Sequence, residues 1–164
     1  MSKKMLSVIL ILFTLSVTGC GNKDATTNQS IIQLLQGFQQ SMVTFFDIKN
    51  IQDSSILVTQ VNDYMRKMEE SKNKLEQING LAENITDENV KKELSTYIGL
   101  GREREKLVIN YLNDIRLDLE YKYKSPDAQV DINDYIAKVP NNLLDLEYKS
   151  EQSLQRLDKL LGKK

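Results

Sequence analysis

The sequence predicts an all-α fold, an antiparallel bundle of about four helices held without a disulfide. Three observations carry that prediction. Apolar residues recur at alternating steps of four and three in four separate segments. Proline occurs only 2 times in 164 residues, so the punctuation of small β domains is missing. The segments are joined by short polar stretches, which fold each helix back on its neighbour. A long coiled-coil rod is the alternative, and the loops expected at 80–85 and 125–139 argue against it.

The first helix is expected over residues 30–49, on the stripe Ile31, Leu35, Phe38, Met42 and Phe45. Ile32, Val43 and Phe46 widen this stripe on one side, and Leu34 and Ile48 on the other. The apolar arc then exceeds half the circumference, more than a surface helix needs. Either other helices pack on both flanks, or one flank meets a partner; Ile32, Val43 and Phe46 are the candidate partner surface. Central packing is the favoured outcome, because three other amphipathic stripes need a surface.

The second helix is expected over 54–79, with Asp53 or Ser54 as N-cap and Asn79-Gly80 as its stop. Leu57, Val61, Tyr64, Met68, Leu75 and Ile78 share one face, with Ser71 in the polar slot. The third begins at the N-cap Thr86 and carries Val90, Leu94, Ile98, Val108, Tyr111, Ile115 and Leu119. Ser125-Pro126-Asp127 closes it. A short turn over 132–138 precedes a fourth helix that starts at Pro140, a natural first-turn residue. Its stripe is Leu143, Leu146, Leu154, Leu157 and Leu161.

Within the third helix, Gly99 and Gly101 each cost about 1 kcal/mol against alanine. They read equally well as a close approach or hinge and as a locally weak helix. The adjoining Arg102-Glu103-Arg104-Glu105 reads as a solvated face with Glu103–Lys106 and Arg102–Glu105 pairs. Leu-Asp-Leu-Glu-Tyr-Lys occurs twice, at 117–122 and 144–149. Each copy offers an Asp-to-Lys pair four residues apart, Asp118–Lys122 and Asp145–Lys149, and reads as amphipathic sequence rather than a repeat unit.

The residue inventory excludes much chemistry. With His 0 and Cys 1, no Ser-His-Asp triad, Cys-His pair, zinc cage or His-carboxylate iron site can be assembled. Carboxylates are plentiful, among them Asp114, Asp118, Glu120, Asp131, Asp134, Asp145 and Glu147. Nothing selects two of them as a glycosidase pair, and residues 127–134 lack the Gly and Glu of a calcium loop. The chain is therefore expected to be no enzyme and to use no metal or cofactor. No face carries the dense cations that nucleic acid requires. The seven tyrosines are expected at core margins with their hydroxyls in water.

The N-terminus carries a different signal. Lys3 and Lys4 precede an apolar run from Met5 to Val17, and Val17-Thr18-Gly19-Cys20 follows. The run is short for a membrane span. These first 20 residues resemble the lipobox signal of bacterial lipoproteins. The resemblance implies cleavage after residue 19 and lipidation of Cys20, with two or more acyl chains giving stable membrane anchoring. It also implies an extracytoplasmic location: the surface of a Gram-positive cell, toward which the richness in Lys, Asn and Ile leans, or the outer membrane of a diderm one. Residues 12–19 are similar to the octapeptide pheromones that some Gram-positive bacteria cut from such signals. Residues 20–29 would then be the lipidated cysteine and a flexible tether, and 30–162 a single bundle domain. Loss of Lys3 and Lys4 leaves 20 basic against 23 acidic residues, a net charge of −3.

The expected function is that of a membrane-anchored, non-enzymatic interaction or envelope-associated protein with an envelope protein as partner. The alternative is a lipoprotein that binds a small molecule or peptide in an immunity or sensing role.

Overall fold

The computed structural model describes residues 23–51, 56–124 and 130–162. Cys20, the lipobox, the Asp53/Ser54 cap and the 125–127 stop lie outside them. The described residues form six helices, α1 Lys23–Ser41, α2 Phe45–Lys49, α3 Leu57–Ala82, α4 Glu88–Tyr123, α5 Ile132–Ala137 and α6 Leu143–Leu161. The four long ones make the antiparallel bundle. α4 is its spine, packed along α3 on one side and α6 on the other; α1 lies along α3 and touches α6 only narrowly. The expectation that the first helix would be central is thus corrected. At 36 residues α4 is the longest element and has the most core-facing positions to offer.

The expected stripes form the core. Ile31, Leu35 and Phe38 from α1, Leu57, Met68 and Leu75 from α3, Leu94, Val108 and Ile115 from α4, and Leu143 and Leu157 from α6 are all buried. Leu154 is only partly buried. Ser71, Ser150 and Ser153 are buried at core-facing positions. Ser150 Oγ donates to its own helix at the Leu146 carbonyl, and Ser153 Oγ donates to Glu93 of α4.

Five boundaries differ from expectation. The first helix already begins at Lys23, within the stretch expected to be tether, and it stops at Ser41 instead of running to 49. The break at 42–44 is made by a capping box. Thr44 is extended, its hydroxyl accepts from Asp47 N at 3.1 Å, and the Asp47 carboxylate accepts from Thr44 N at 2.8 Å. The second helix does not stop at Gly80 but runs on to Ala82, where Leu81 and Ala82 still pack on the core. The N-cap of α4 is Asp87, not Thr86: its carboxylate accepts from Asn89 N and Val90 N. At the other end Asn142 precedes α6, and Pro140 sits in the turn before it, its carbonyl accepting from Leu143 N.

The two glycines of α4 separate cleanly. A Cβ on Gly101 would stand 3.1 Å from both terminal methyls of Leu75 and 3.1 Å from the tip of Phe38. This glycine admits the Phe38 ring, which meets Tyr97 edge-on at 5.8 Å. A Cβ on Gly99 would meet no neighbouring side chain within 4 Å. Gly99→Ala is therefore expected to stabilise the protein by about 0.5–1 kcal/mol through helix propensity. Gly101→Val is expected to destabilise it by about 1–3 kcal/mol through overpacking. Melting temperatures that move together for the two variants would contradict this.

Candidate functional site: an apolar end with charges beneath it

Neighbouring long helices run in opposite directions, as their contacts show. Lys74 of α3 donates to the Gly37 carbonyl while Ser71 meets Met42; Arg102 pairs with Glu76; Glu93 pairs with Arg156 while Arg104 faces Glu147. The start of α1, the end of α3, the start of α4 and the end of α6 therefore share one end of the bundle. The large exposed hydrophobics belong to the other half. Phe46, Ile56, Val58, Leu117, Tyr121, Tyr123, Leu144 and Tyr148 come from α2, the first turns of α3 and α6, and the last turns of α4. Tyr121, Tyr123 and Tyr148 are exposed as whole residues, not only at their hydroxyls.

The three residues expected to form a partner surface do not come together. Phe46 is 61% exposed. Val43 is 1% exposed and belongs to the core, a correction that follows from the break at 42–44. Once the chain leaves the helix after Ser41, the 100° step no longer describes where Val43 points. Ile32 is half-buried against the core on α1, about 15 Å along the axis from Met42 at the helix end. Val43 and Phe46 lie at the apolar end, and of the three only Phe46 is exposed.

Phe46 is presented by a short helix bolted to the bundle through polar contacts. Phe45 N donates to Glu147 Oε1 at 2.7 Å, and Tyr64 Oη donates to the Asp47 carbonyl at 3.0 Å. Glu147 in turn faces the Arg104 guanidinium at 3.7 Å. The Phe45 and Phe46 rings meet edge to face at 5.7 Å, and Lys49 sits over Phe45.

The charges beneath this surface correct the reading of residues 102–105 as a solvated face. Arg104 and Glu105 are buried, 7% and 6% exposed. Arg102 pairs across to Glu76 instead of along the helix to Glu105. Leu94, Ile98, Gly101, Glu105, Val108 and Leu112 continue one four-three register, and Tyr97, Gly101, Arg104, Val108 and Tyr111 a second. That register was the signal, masked by the polarity of the residues filling it.

Burial pushes the Glu105 carboxyl up to about 7 against the opposing effect of Ser71. Ser71 Oγ lies 3.0 Å from Met42 Sδ and 3.4 Å from Glu105 Oε1. Burial also raises Glu147, while its bond from Phe45 N and the Arg104 charge pull it down. Arg104 is itself lowered by burial and held up chiefly by Glu147, and its Nε has no hydrogen-bond partner among the described residues.

The two hexapeptides adopt one disposition. In each, the second leucine is buried, the first leucine and the tyrosine are exposed, and the Asp–Lys pair closes, at 3.1 Å for Asp118–Lys122 and 2.7 Å for Asp145–Lys149. The first copy also fastens α5. Tyr135 Oη donates to Asp118 Oδ2 at 2.6 Å, and Tyr111 Oη donates to the Tyr135 carbonyl at 2.8 Å. Burial, with Asp118 beside it, pushes the Tyr135 hydroxyl up to about 12.

A groove of about 380 Å³ runs between α3 and α4 at the apolar end, floored by Val61 and Leu119 and flanked by Val58 and Tyr123. Among the described residues the acidic side chains form no group of three that could hold a metal ion, and no helix is long and apolar enough to cross a membrane. Compared with protein-family models, with curated proteins and with solved structures, the chain matches none of them.

Proposed function

We propose that this chain is a lipid-anchored, extracytoplasmic lipoprotein that acts as a non-enzymatic interaction protein of the cell envelope. The lipobox-like run ending at Cys20 supports the anchor. The observation that carries the interaction role is the polarity of the bundle. The chain enters at Lys23 at one end, and the large exposed hydrophobics belong to the opposite half. An anchor at Cys20 would hold the entering end near the lipid and turn the apolar end away from it. Large hydrophobics left exposed in one half of a domain favour that half as its interaction surface, and aromatic residues are the side chains most enriched in such surfaces.

Labelling cells with a radioactive fatty acid tests the anchor. The wild-type chain is expected to take up label. Cys20→Ala is expected to take up none and to stay uncut, because the acyl acceptor is gone. A wild-type chain that stays unlabelled refutes the address.

A further inference from the structure

One stripe of the apolar half is complementary to itself. On α4 the residues Asp114, Leu117, Tyr121 and Lys124 fall within an arc of about 80° at 100° per residue. The stripe faces away from Ile115 and Leu119, which enter the core. Leu117 is 60% and Tyr121 72% exposed. The step from Asp114 to Leu117 equals the step from Tyr121 to Lys124. A second α4 laid antiparallel, with Leu117 on Tyr121, therefore sets Asp114 against Lys124 at both ends. A single two-fold axis midway between Leu117 and Tyr121 satisfies all four pairings, as an isologous interface requires. Asp114 and Lys124 form no ion pair among the described residues, so both charges are available to it.

We propose that this stripe is a homodimer interface, in which α4 of a second copy docks antiparallel across Leu117 and Tyr121 with reciprocal Asp114–Lys124 pairs. Parallel docking in register is disfavoured, because it sets Asp114 against Asp114 and Lys124 against Lys124. A membrane surface is a poorer occupant, since the stripe carries one charge of each sign rather than a cationic cluster. The other hexapeptide supplies the contrast. Leu144 and Tyr148 are exposed in the same way, but the residues flanking them at the same steps are Asn141 and Glu151. Reversal there brings no opposite charges together. The α4 stripe spans about 15 Å, which places the interface among the small, weak and reversible ones. The inference concerns the bundle alone and does not rest on lipid anchoring.

Sedimentation equilibrium of the full chain in a density-matched nonionic detergent tests it. A concentration-dependent dimer is expected. Asp114→Lys, which sets lysine against lysine, is expected to weaken it by about tenfold or more. The double exchange Asp114→Lys with Lys124→Asp restores the complementarity and is expected to recover most of the affinity. Leu117→Ser with Tyr121→Ser abolishes the dimer; Leu144→Ser with Tyr148→Ser leaves it unchanged. All these positions are exposed, so circular dichroism spectra should match the wild type. A chain that stays monomeric throughout, or a dimer that ignores the charge exchange, overturns the proposal.

Discussion

Val43→Asp is expected to unfold the protein, and so is Leu35→Asp. Both side chains are buried, 1% and 2% exposed, on opposite sides of the point where α1 ends. Both sites belong to the hydrophobic core, where a carboxylate is stripped of water. An unpaired buried charge costs several kcal/mol, or shifts its pKa and buries a neutral carboxyl that still lacks partners. The lost apolar contacts add about 2 kcal/mol. Against a total stability of about 5–15 kcal/mol for a domain of this kind, either change is decisive. Thermal melts followed by circular dichroism should show no cooperative transition for the two variants. Phe46→Asp, on the exposed side of α2, should melt like the wild type. A folded Val43→Asp would return that residue to the surface and refute the core assigned around the 42–44 break.

Arg104→Met is expected to cost about 1–3 kcal/mol at pH 8, because it leaves the part-buried Glu147 without its counter-charge. The loss should shrink at pH 5. The Glu105 and Glu147 carboxyls both lie above their ordinary value in the fold. Between about pH 4.5 and 7 the folded state therefore binds more protons than the unfolded chain. Stability falls as pH rises through that window. Without Arg104 the Glu147 carboxyl rises further and the slope steepens. Glu105→Gln removes its share of the slope; after allowance for solvent screening that share is on the order of 1–2 kcal/mol. Replacing Glu147 with Leu in the Arg104→Met background should recover part of the loss, since the charge that Arg104 faced is then gone as well. Urea unfolding at pH 5 and pH 8 measures all of these. An Arg104→Met cost that is equal at the two pH values would show that the buried carboxyls do not depend on this cation.

Where polarity and position agreed, the fold was legible in the sequence. Leu57, Val61, Tyr64, Met68, Leu75 and Ile78 are apolar at helical steps and all six are buried. Even Ser71 could be read, because the stripe passed through it. Reading failed where register and polarity pointed apart. Arg104 and Glu105 sit on the inward register but carry charges, and a charge is ordinarily the better guide to exposure. Their burial depends on Glu147, Ser71 and Met42, which are distant in the chain. The break in the first helix was written locally, as Thr44 with Asp47 three residues on, but an unbroken apolar stripe across Phe45 concealed it. The same unbroken stripe sets Val43 on one flank with Ile32 and Phe46, a grouping that the end of α1 at Ser41 dissolves. Phe46 was picked out as a surface residue by its place on the wheel, and its exposure rests on α2 being a separate helix.

The packing of the bundle also bears on how it is acquired. Each broad seam joins long helices that follow one another in the chain, α1 with α3, α3 with α4, and α4 with α6. The seam between helices far apart in sequence, α1 with α6, is the narrow one. Most of the loop closures needed to reach the native state are therefore short. Chains of such low contact order fold in microseconds to milliseconds. A chain delivered from its N-terminus can seat α1 on α3, and α3 on α4, before α6 exists. The last helix then covers Arg104 with Glu147 and fastens Phe45 in the same step.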